Sequence, residues 1–350
     1  MASITAKPES SFGVRIQQRY GCIGEGVSSK VYAIDKQQCV KIVYRSMKTM
    51  RKSELEYWKR CNAGMRHACL VEILDCRQNN QGQLELTMPL YWSDLGTVIY
   101  KTHRRQLTVS ELQVMHDRMI ELTDAIRVLH AANFIHFDIK PQNVLVADEH
   151  LSRLVLTDFG LSRTAKEDGR ETIDDVSTLW YRAPEILDLQ LSVPHDDGGG
   201  GDDMDDDDTD DDTDDDEDDD NGRVGQFDAR SVDMWALGAV YGEWLRGRPL
   251  FIDNAKTYDS TLDDNRAGWS AFLKAIRSQG IRGNVSVKTR HTNVTRMRET
   301  LAKRCDSNTR NTPVFDITAN LVCRMLHVDP KMRIRASDAV ATRRSILETT

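Results

Sequence analysis

Paired cysteines and long apolar runs are both missing from this sequence, and each absence excludes a class of protein. The seven cysteines are scattered without a C-x-x-C pair, which argues against a zinc site or a disulfide framework and favours reduced thiols. No run of about eighteen apolar residues occurs, so no membrane-spanning helix is predicted. Residues 1–13 contain no apolar core of the kind that a signal peptide needs, and Ala2 does not fit the N-myristoylation pattern. We therefore expect an intracellular protein, cytoplasmic or nuclear, that does not bind a membrane.

Basic residues are missing from one acidic segment. Residues 196–220 contain 18 Asp or Glu and no Lys or Arg, in a chain of 350 residues with 47 Lys or Arg, 55 Asp or Glu and a formal net charge of −8. Removing the segment leaves 37 acidic residues against 47 basic ones, a formal charge of +10. Because such a composition has nothing to bury, we predict a disordered, solvated insertion over 194–225. Two alternatives stay open: it folds back on the basic stretch 274–304, or it binds basic proteins.

The rest of the sequence predicts strands first and helices later. A strand meander is predicted over 12–46, and apolar residues at helical spacing predict helices over 47–66, through Leu55 and Trp58, and over 109–131. After residue 225 the pattern is helical. This order predicts an α+β protein with two lobes and a ligand-binding cleft between them. The individual strands are predicted at Val31–Ile34, Cys39–Val43, His67–Cys76, Leu84–Met88, Asn143–Val146 and Leu154–Thr157.

The segment HFDIKPQNVL, separated by twelve residues from DFG, combines the groups that phosphoryl transfer needs. Asp138 can accept or orient the proton of an attacking hydroxyl, and Lys140 can lie against the migrating phosphate. Asn143 and Asp158 carry oxygen ligands of the kind that Mg²⁺ takes. The pattern resembles the H-R-D-L-x-x-x-N and D-F-G motifs of eukaryotic-type protein kinases. This resemblance implies a two-lobed kinase fold that uses ATP and Mg²⁺.

A glycine-containing turn between two predicted strands resembles the loop that covers the ATP phosphates in this family. Glycine lets backbone N–H groups approach phosphates closely. Ser29 stands where a third glycine is usual, and an ordinary two-glycine hairpin turn is the alternative interpretation. The resemblance assigns ATP binding to Ile23, Gly24, Glu25, Gly26, Val27, Ser28, Ser29, Lys30 and Val31.

Lys41 stands where the family has the lysine of V-A-I-K, and a buried ammonium on a central strand needs anionic partners. The resemblance implies that Lys41 binds the ATP phosphates and pairs with a glutamate of the next helix. Glu54 and Glu56 both lie there. We favour Glu54, because its surroundings better match the family's E-I-x-x-L pattern, and Glu56 stays open. Cys39 replaces a small alanine above the adenine ring.

Residues 86–95 resemble the hinge between the lobes. In that register Met88 is the gatekeeper, and the Pro89 carbonyl and the Tyr91 backbone hydrogen-bond adenine. Asp94 would then reach the ribose. An ordinary buried edge strand is the alternative.

The sequence DDVSTLWYRAPEI, residues 174–186, resembles the activation segment of the cyclin-dependent and MAP-kinase group. Together with Lys140, Thr178 indicates serine/threonine protein substrates. Arg182 in this group helps to build a substrate pocket that favours proline after the target residue. Ala183-Pro184-Glu185 matches A-P-E, and Arg333 matches the usual ion-pair partner of that glutamate.

Val232-Asp233-Met234-Trp235-Ala236-Leu237-Gly238 matches the buried D-x-W-x-x-G helix that anchors the catalytic loop in the family. The motifs occur in family order over residues 18–345. The resemblance therefore implies a serine/threonine protein kinase domain there, with lobes at about 18–90 and 91–345 after an N-terminal extension, 1–17. Nucleic acid is not an expected partner, because the basic stretch 274–304 lacks interleaved aromatics.

Phe137 departs from the usual H-R-D. In the family that arginine commonly grips a phosphate on the activation segment, which phenylalanine cannot do. We therefore predict activity that does not require phosphorylation of the activation segment. A pseudokinase that binds nucleotide without phosphotransfer is the main alternative, and a small-molecule kinase is disfavoured by A-P-E and Thr178.

Overall fold

The computed structural model describes residues 21–167, 170–172, 178–192, 224–251, 266–279 and 287–347. The predicted N-terminal extension 1–17, the first strand residues before 21 and the predicted insertion up to residue 223 lie outside these residues. Residues 173–177 lie outside them as well, and so does part of the basic stretch 274–304. Residues 173–177 belong to the activation segment, taken as residues 161–182 between the D-F-G and A-P-E motifs. None of the described helices is long and apolar enough to cross a membrane.

A five-stranded antiparallel sheet and one helix form the first lobe. The strands are ordered β1-β2-β3-β5-β4, so β3 lies in the middle of the sheet. Residues of β3 alternate between two faces, with Val40 and Ile42 packed on Tyr32 and with Cys39 and Val43 in the main core. The same alternation points Lys41 inward. The elements are β1 (Cys22–Glu25), β2 (Ser29–Ala33), β3 (Gln38–Val43), α1 (Lys48–Asn62), β4 (Asp75–Gln78) and β5 (Leu84–Pro89).

The strand predicted over His67–Cys76 is wrong for most of its length. Only Asp75–Gln78 is a strand, and the residues before it run irregularly toward the second lobe. Their backbone pairs with another part of the chain: Leu156 N–H donates to Cys69 O at 2.8 Å, and Val71 N–H donates to Leu156 O at 2.9 Å. Cys69, Leu70 and Val71 are buried at the junction of the lobes, not in the sheet.

Helix α1 forms as predicted but presents a different face to the core. Glu54 and Tyr57 are its buried residues, whereas Leu55 and Trp58 are only half-buried. The reason is that the core-facing side of α1 meets polar and aromatic partners in the cleft, described below, rather than an aliphatic layer.

Among the described residues, helices dominate the second lobe, and three small sheets connect them. The sheets pair β6-β8-β9, β7-β10 and β11-β12. The strands are β6 (Ser93–Asp94), β7 (Phe134–Ile135), β8 (Val144–Val146), β9 (Leu154–Leu156), β10 (Arg163–Thr164), β11 (Arg170–Thr172) and β12 (Val224–Gln226). The helices are α2 (Leu95–Thr102), α3 (Val109–Ala131), α4 (Pro184–Ser192), α5 (Ala229–Arg246), α6 (Arg266–Gln279), α7 (Val287–Leu301), α8 (Ser307–Arg310), α9 (Pro313–Met325) and α10 (Ala336–Leu347).

Helices α3 and α5 hold the catalytic loop, which is the stretch 133–143 that contains the HFDIKPQN motif. Helix α3 begins at a capping box in which the Thr108 hydroxyl and the Glu111 carboxylate satisfy each other's backbone N–H groups, and its predicted bounds are confirmed. Every residue of α5 except Arg230 is buried, as expected of a helix in the middle of a core. The fold is therefore the predicted one, a small β-rich lobe on a larger helical lobe.

Candidate active site

Lys41 lies between two carboxylates that come from different parts of the chain. Its Nζ is 2.5 Å from Glu54 Oε1 on α1 and 2.6 Å from Asp158 Oδ1. Glu56 points elsewhere and pairs with Arg60 on the same helix at 2.7 Å. The structure thus brings Glu54, and not Glu56, to Lys41.

The charges of this cluster reinforce one another. Burial alone would lower the pKa of Lys41, but Asp158 and Glu54 raise it above its ordinary value, so the ammonium stays protonated. Burial would raise the pKa of Asp158, and the Lys41 ammonium instead lowers it to about 2. Burial also raises the pKa of the Glu54 carboxyl, against the opposing influence of Lys41.

Asp138 is the centre of a second cluster on the catalytic loop. The Asn143 amide nitrogen donates to Asp138 Oδ2 at 3.0 Å, and Lys140 Nζ lies 2.7 Å from the same oxygen. Thr178 contacts Asp138 Oδ1 through its backbone N–H and its hydroxyl, both at 3.2 Å, and its hydroxyl accepts from Lys140 Nζ at 3.2 Å. Three predicted site residues, Lys140, Asn143 and Thr178, therefore meet around the carboxylate of a fourth, Asp138.

Asp233, near the start of α5, binds the backbone of the catalytic loop. Its carboxylate accepts from the backbone N–H of His136 at 3.0 Å and of Phe137 at 2.9 Å. His136 Nε2 donates to Thr157 O at 3.1 Å, and its Nδ1 accepts from Asp138 N–H at 3.2 Å. Burial lowers the pKa of His136, so the imidazole is neutral, as this pattern of one donor and one acceptor requires.

The DFG segment is fixed by aromatic stacking. Asp158 adopts a left-handed backbone with φ of 65°, a conformation uncommon for non-glycine residues. The next residue, Phe159, stacks on Tyr57 with ring centroids 3.5 Å apart, and it lies 4.8 Å from the ring of His136. The motifs did not point to Tyr57. Its position one helical turn after Glu54 does place it on the same face of the helix.

The oxygen atoms at this site fit a magnesium ion. Asp158 has 39% of its side chain exposed and uses one oxygen for Lys41. The Asn143 nitrogen is committed to Asp138, which leaves its Oδ1 as a ligand atom. Carboxylate and amide oxygens, completed by phosphate oxygens and water, are the donors that Mg²⁺ prefers.

The glycine turn is closed by its own backbone and surrounded by open space. Gly26 N–H donates to Ser29 O at 2.9 Å, and a Cβ added to Gly26 would meet nothing closer than that oxygen, at 3.9 Å. Ile23 and Val27 are exposed, and Lys30 pairs with Glu25 at 2.8 Å. The backbone there is free of side-chain obstruction, as phosphate binding requires.

Of the residues predicted at the hinge, Met88 and Pro89 end β5, Tyr91 follows that strand, and Asp94 lies in β6. Met88 is buried opposite Cys39 in the sheet. Burial raises the pKa of the Cys39 thiol to about 12, so Cys39 is a small, neutral side chain. Asp94 caps α2: its two oxygens accept from Thr97 N–H at 2.8 Å and from the Thr97 hydroxyl at 2.7 Å. Contact between Asp94 and a ribose stays a prediction, because the helix start already engages both oxygens.

Two arginines of the second lobe are buried on polar partners. Arg333 binds Glu185 with both ends of its guanidinium, at 2.7 and 2.9 Å. Arg182 Nη1 donates to Gln190 Oε1 at 3.0 Å. The first contact fixes the A-P-E glutamate, and the second fixes Arg182 directly after the segment that carries Thr178.

Residues 18–197 match the protein kinase domain family. The match covers a little over half of the chain, and the chain belongs to this family. The resemblance to serine/threonine kinases of the cyclin-dependent and MAP-kinase group is also confirmed.

Several relatives in this group are about 30% identical to the chain over the matched stretch. Mitogen-activated protein kinase 12 of Oryza sativa subsp. japonica is 27% identical over 289 residues, 79% of this chain and 40% of the relative. Extracellular signal-regulated kinase 7 of Drosophila melanogaster is 30% identical over 197 residues, 53% of this chain and 17% of the relative. Cyclin-dependent kinase-like 2 of Rattus norvegicus is 31% identical over 142 residues, 40% of this chain and 20% of the relative. The matched region spans less than half the length of these relatives.

Proposed function

We propose that this chain is a serine/threonine protein kinase that transfers the γ-phosphoryl group of ATP to protein hydroxyls. The convergence of Lys140, Asn143 and Thr178 on the Asp138 carboxylate is the observation that carries the proposal. A substrate hydroxyl placed beside Thr178 would have Asp138 Oδ1 as its proton acceptor. Lys140 would lie next to the attacking oxygen of that hydroxyl.

Positioning and charge neutralisation do most of the work in this reaction. Lys41, held by Glu54, would bind the α- and β-phosphates, and Lys140 would neutralise charge on the γ-phosphoryl group as it moves. Asn143 and Asp158 would hold Mg²⁺, which supplies further charge neutralisation when bound. Asp138 would orient the substrate hydroxyl and take its proton as the new P–O bond forms and the bond to the leaving ADP oxygen breaks.

The protein substrate would lie along the segment that contains Thr178 and Arg182. The contact of Thr178 with Asp138 and Lys140 supports serine and threonine as acceptors. The fixed position of Arg182 on Gln190 supports the hypothesis of a substrate pocket that favours proline after the target residue.

Phe137 supports activity without phosphorylation of the activation segment. The residue occupies the position of the phosphate-binding arginine, and its side chain is buried. Lys41 contacts Glu54 and Phe159 stacks on Tyr57, and both contacts are made by side chains of the chain itself.

Radiolabelled ATP with a dephosphorylated protein mixture tests this proposal. We expect the wild type to label proteins on serine or threonine, and Asp138→Asn to lower the labelling at least about a hundredfold, because a positioned proton acceptor is lost. The matched control is Asp75→Asn, an exposed aspartate on β4. Wild-type labelling no greater than that of Asp138→Asn, with ATP binding retained, would identify a pseudokinase. Labelling of small metabolites alone would identify a small-molecule kinase.

A further inference from the structure

Glu171 is a fully buried carboxylate within the activation segment, on β11. Burying a carboxylate is costly unless it is ion-paired and hydrogen-bonded. Its Oε2 lies 3.3 Å from Nε of Arg163, and its Oε1 accepts from the backbone N–H of Lys166 at 2.8 Å. Both oxygens therefore hold earlier residues of the same segment, and Glu171 closes the loop between β10 and β11.

Arg163 connects this carboxylate to the catalytic loop. Its guanidinium carbon lies 4.0 Å from the centroid of the Phe137 ring, a cation–π contact. Phe137 directly precedes Asp138, and Arg163 pairs with Ile135 of the same loop through the β10-β7 ladder. A carboxylate, a guanidinium and a ring thus form a stack that ends one residue from the candidate proton acceptor.

The same strand, β10, also contacts helix α1. Arg60 donates through Nη2 to the Thr164 hydroxyl at 2.6 Å and through Nη1 to Ala132 O at 2.9 Å. Helix α1 also carries Glu54, the partner of Lys41. The position of β10 is therefore coupled by direct contacts to the catalytic loop and to the helix that orients the phosphate-binding lysine.

We propose that Glu171 is a permanent anionic anchor of the activation segment, which holds Arg163 against Phe137 and thereby positions the loop that carries Asp138. This proposal rests on the proposed function and deepens it. Phe137 stands where the family has the arginine that binds a phosphate, and Glu171 supplies a fixed negative charge from within the chain. Glu171 touches neither the substrate nor the reacting atoms, so it is a positioning residue.

The test removes the charge of Glu171 without removing its shape. Glu171→Gln keeps an acceptor for the Lys166 N–H, Glu171→Asp keeps the charge, and Glu167→Gln removes an exposed carboxylate from the same segment as a control. Arg163→Gln removes the other half of the ion pair. Each full chain is dephosphorylated, checked by intact mass and by thermal unfolding, and assayed with a protein acceptor from the labelling experiment. Hydrogen exchange is followed in peptides covering 133–140 and 161–172.

We expect Glu171→Gln to lower kcat by about ten- to a hundredfold, the effect of losing a charged hydrogen bond, with KM for ATP unchanged. Exchange should become faster in both peptides. Glu171→Asp should recover most of kcat, and Glu167→Gln should match the wild type. Arg163→Gln should give a loss similar to that of Glu171→Gln, and the double variant should lose no more than either single one, because the two residues act as a pair.

Two outcomes would overturn the anchor, and a third would separate it from the proposed function. The first is equal kcat and exchange in Glu171→Gln and Glu167→Gln, which leaves the proposed function intact if Asp138→Asn still abolishes labelling. The second is a Glu171→Asp variant as slow as Glu171→Gln, which would assign the effect to packing. The third concerns a wild type no more active than Asp138→Asn, which would contradict the proposed function. Exchange alone then decides: unchanged exchange in Glu171→Gln overturns the anchor, and faster exchange supports it.

Discussion

Glu243 on α5 differs from the carboxylates of the active site because a neutral hydroxyl is its hydrogen-bond partner. Its Oε2 accepts from the Tyr181 hydroxyl at 2.7 Å, and the side chain is buried. Glu54 and Glu185, in contrast, lie against cations. Burial therefore raises the pKa of Glu243 to about 7, from an ordinary value of 4.5. Near neutral pH this carboxyl exchanges its proton beneath the segment that carries Arg182.

This raised pKa makes the stability of the protein depend on pH. The favourable contribution of the protonated Glu243 is fully present below pH 4.5 and is lost as the pH rises through about 7. Glu243→Gln keeps an acceptor for Tyr181 and has no proton to lose. Between pH 5 and 8 we expect the wild type to lose about 3 kcal/mol more free energy of unfolding than this variant does.

Urea denaturation at several pH values measures this difference. Glu149→Gln, which alters an exposed glutamate, is the control and should follow the wild type. Parallel curves for the wild type and Glu243→Gln would contradict the expected titration.

Motif residues could be predicted from the sequence, but their second layer of contacts could not. Asp138, Asn143 and Lys140 lie within six residues of one another, so local spacing was sufficient to group them. Glu171 reaches the catalytic loop only because β10 folds back on β7, and the stacking of Tyr57 on Phe159 depends on how α1 is rotated. Such contacts join residues that are far apart in the sequence, so no local periodicity predicts them.

Helix α5 determines how closely the other helices of the second lobe approach the catalytic loop. Gly238 lies where α5 crosses α9, and an added Cβ there would stand 2.7 Å from the Cβ of Met325. No side chain fits at that distance without a shift of one helix. The D-x-W-x-x-G motif thus combines an anchor, Asp233, with a glycine that permits close packing one turn and a half further along.

Gly238→Ala should therefore destabilise the protein, although alanine is the better helix former by about 1 kcal/mol. Overpacking in a buried helix contact costs about 1–3 kcal/mol. Because the same helix holds Asp233 under the catalytic loop, we also expect lower phosphotransfer. Chemical denaturation and the labelling assay measure the two effects, and a variant more stable than the wild type would contradict the packing argument.

At the scale of elements, helices and strands with a regular pattern were predicted well, and segments between the lobes were not. The bounds of α3 follow from a capping box and an apolar stripe, both local features. Cys69, Leu70 and Val71 are β-prone and buried, yet their backbone pairs with Leu156 across the junction of the lobes. Burial at a junction and burial in a sheet select the same residue types, so the sequence could not distinguish them.

At the scale of the whole molecule, contacts between side chains join the two lobes. Lys41 of the first lobe meets Asp158 of the second, Phe159 stacks on Tyr57 of α1, and Arg60 of α1 binds Thr164 on β10. These contacts support the proposal that the kinase domain is active without phosphorylation of its activation segment.

The measurement that tests this claim most directly is the rate of phosphotransfer by enzyme that mass spectrometry shows to be free of phosphate on residues 161–182. The rate is taken at initial times, with the phosphate content of the enzyme measured again at the end of the assay. We expect phosphotransfer from the first time point, at a rate within about twofold of that of enzyme after prolonged incubation with ATP. Asp138→Asn should show no phosphotransfer. Enzyme that stays inactive until residues 161–182 carry phosphate would contradict the claim.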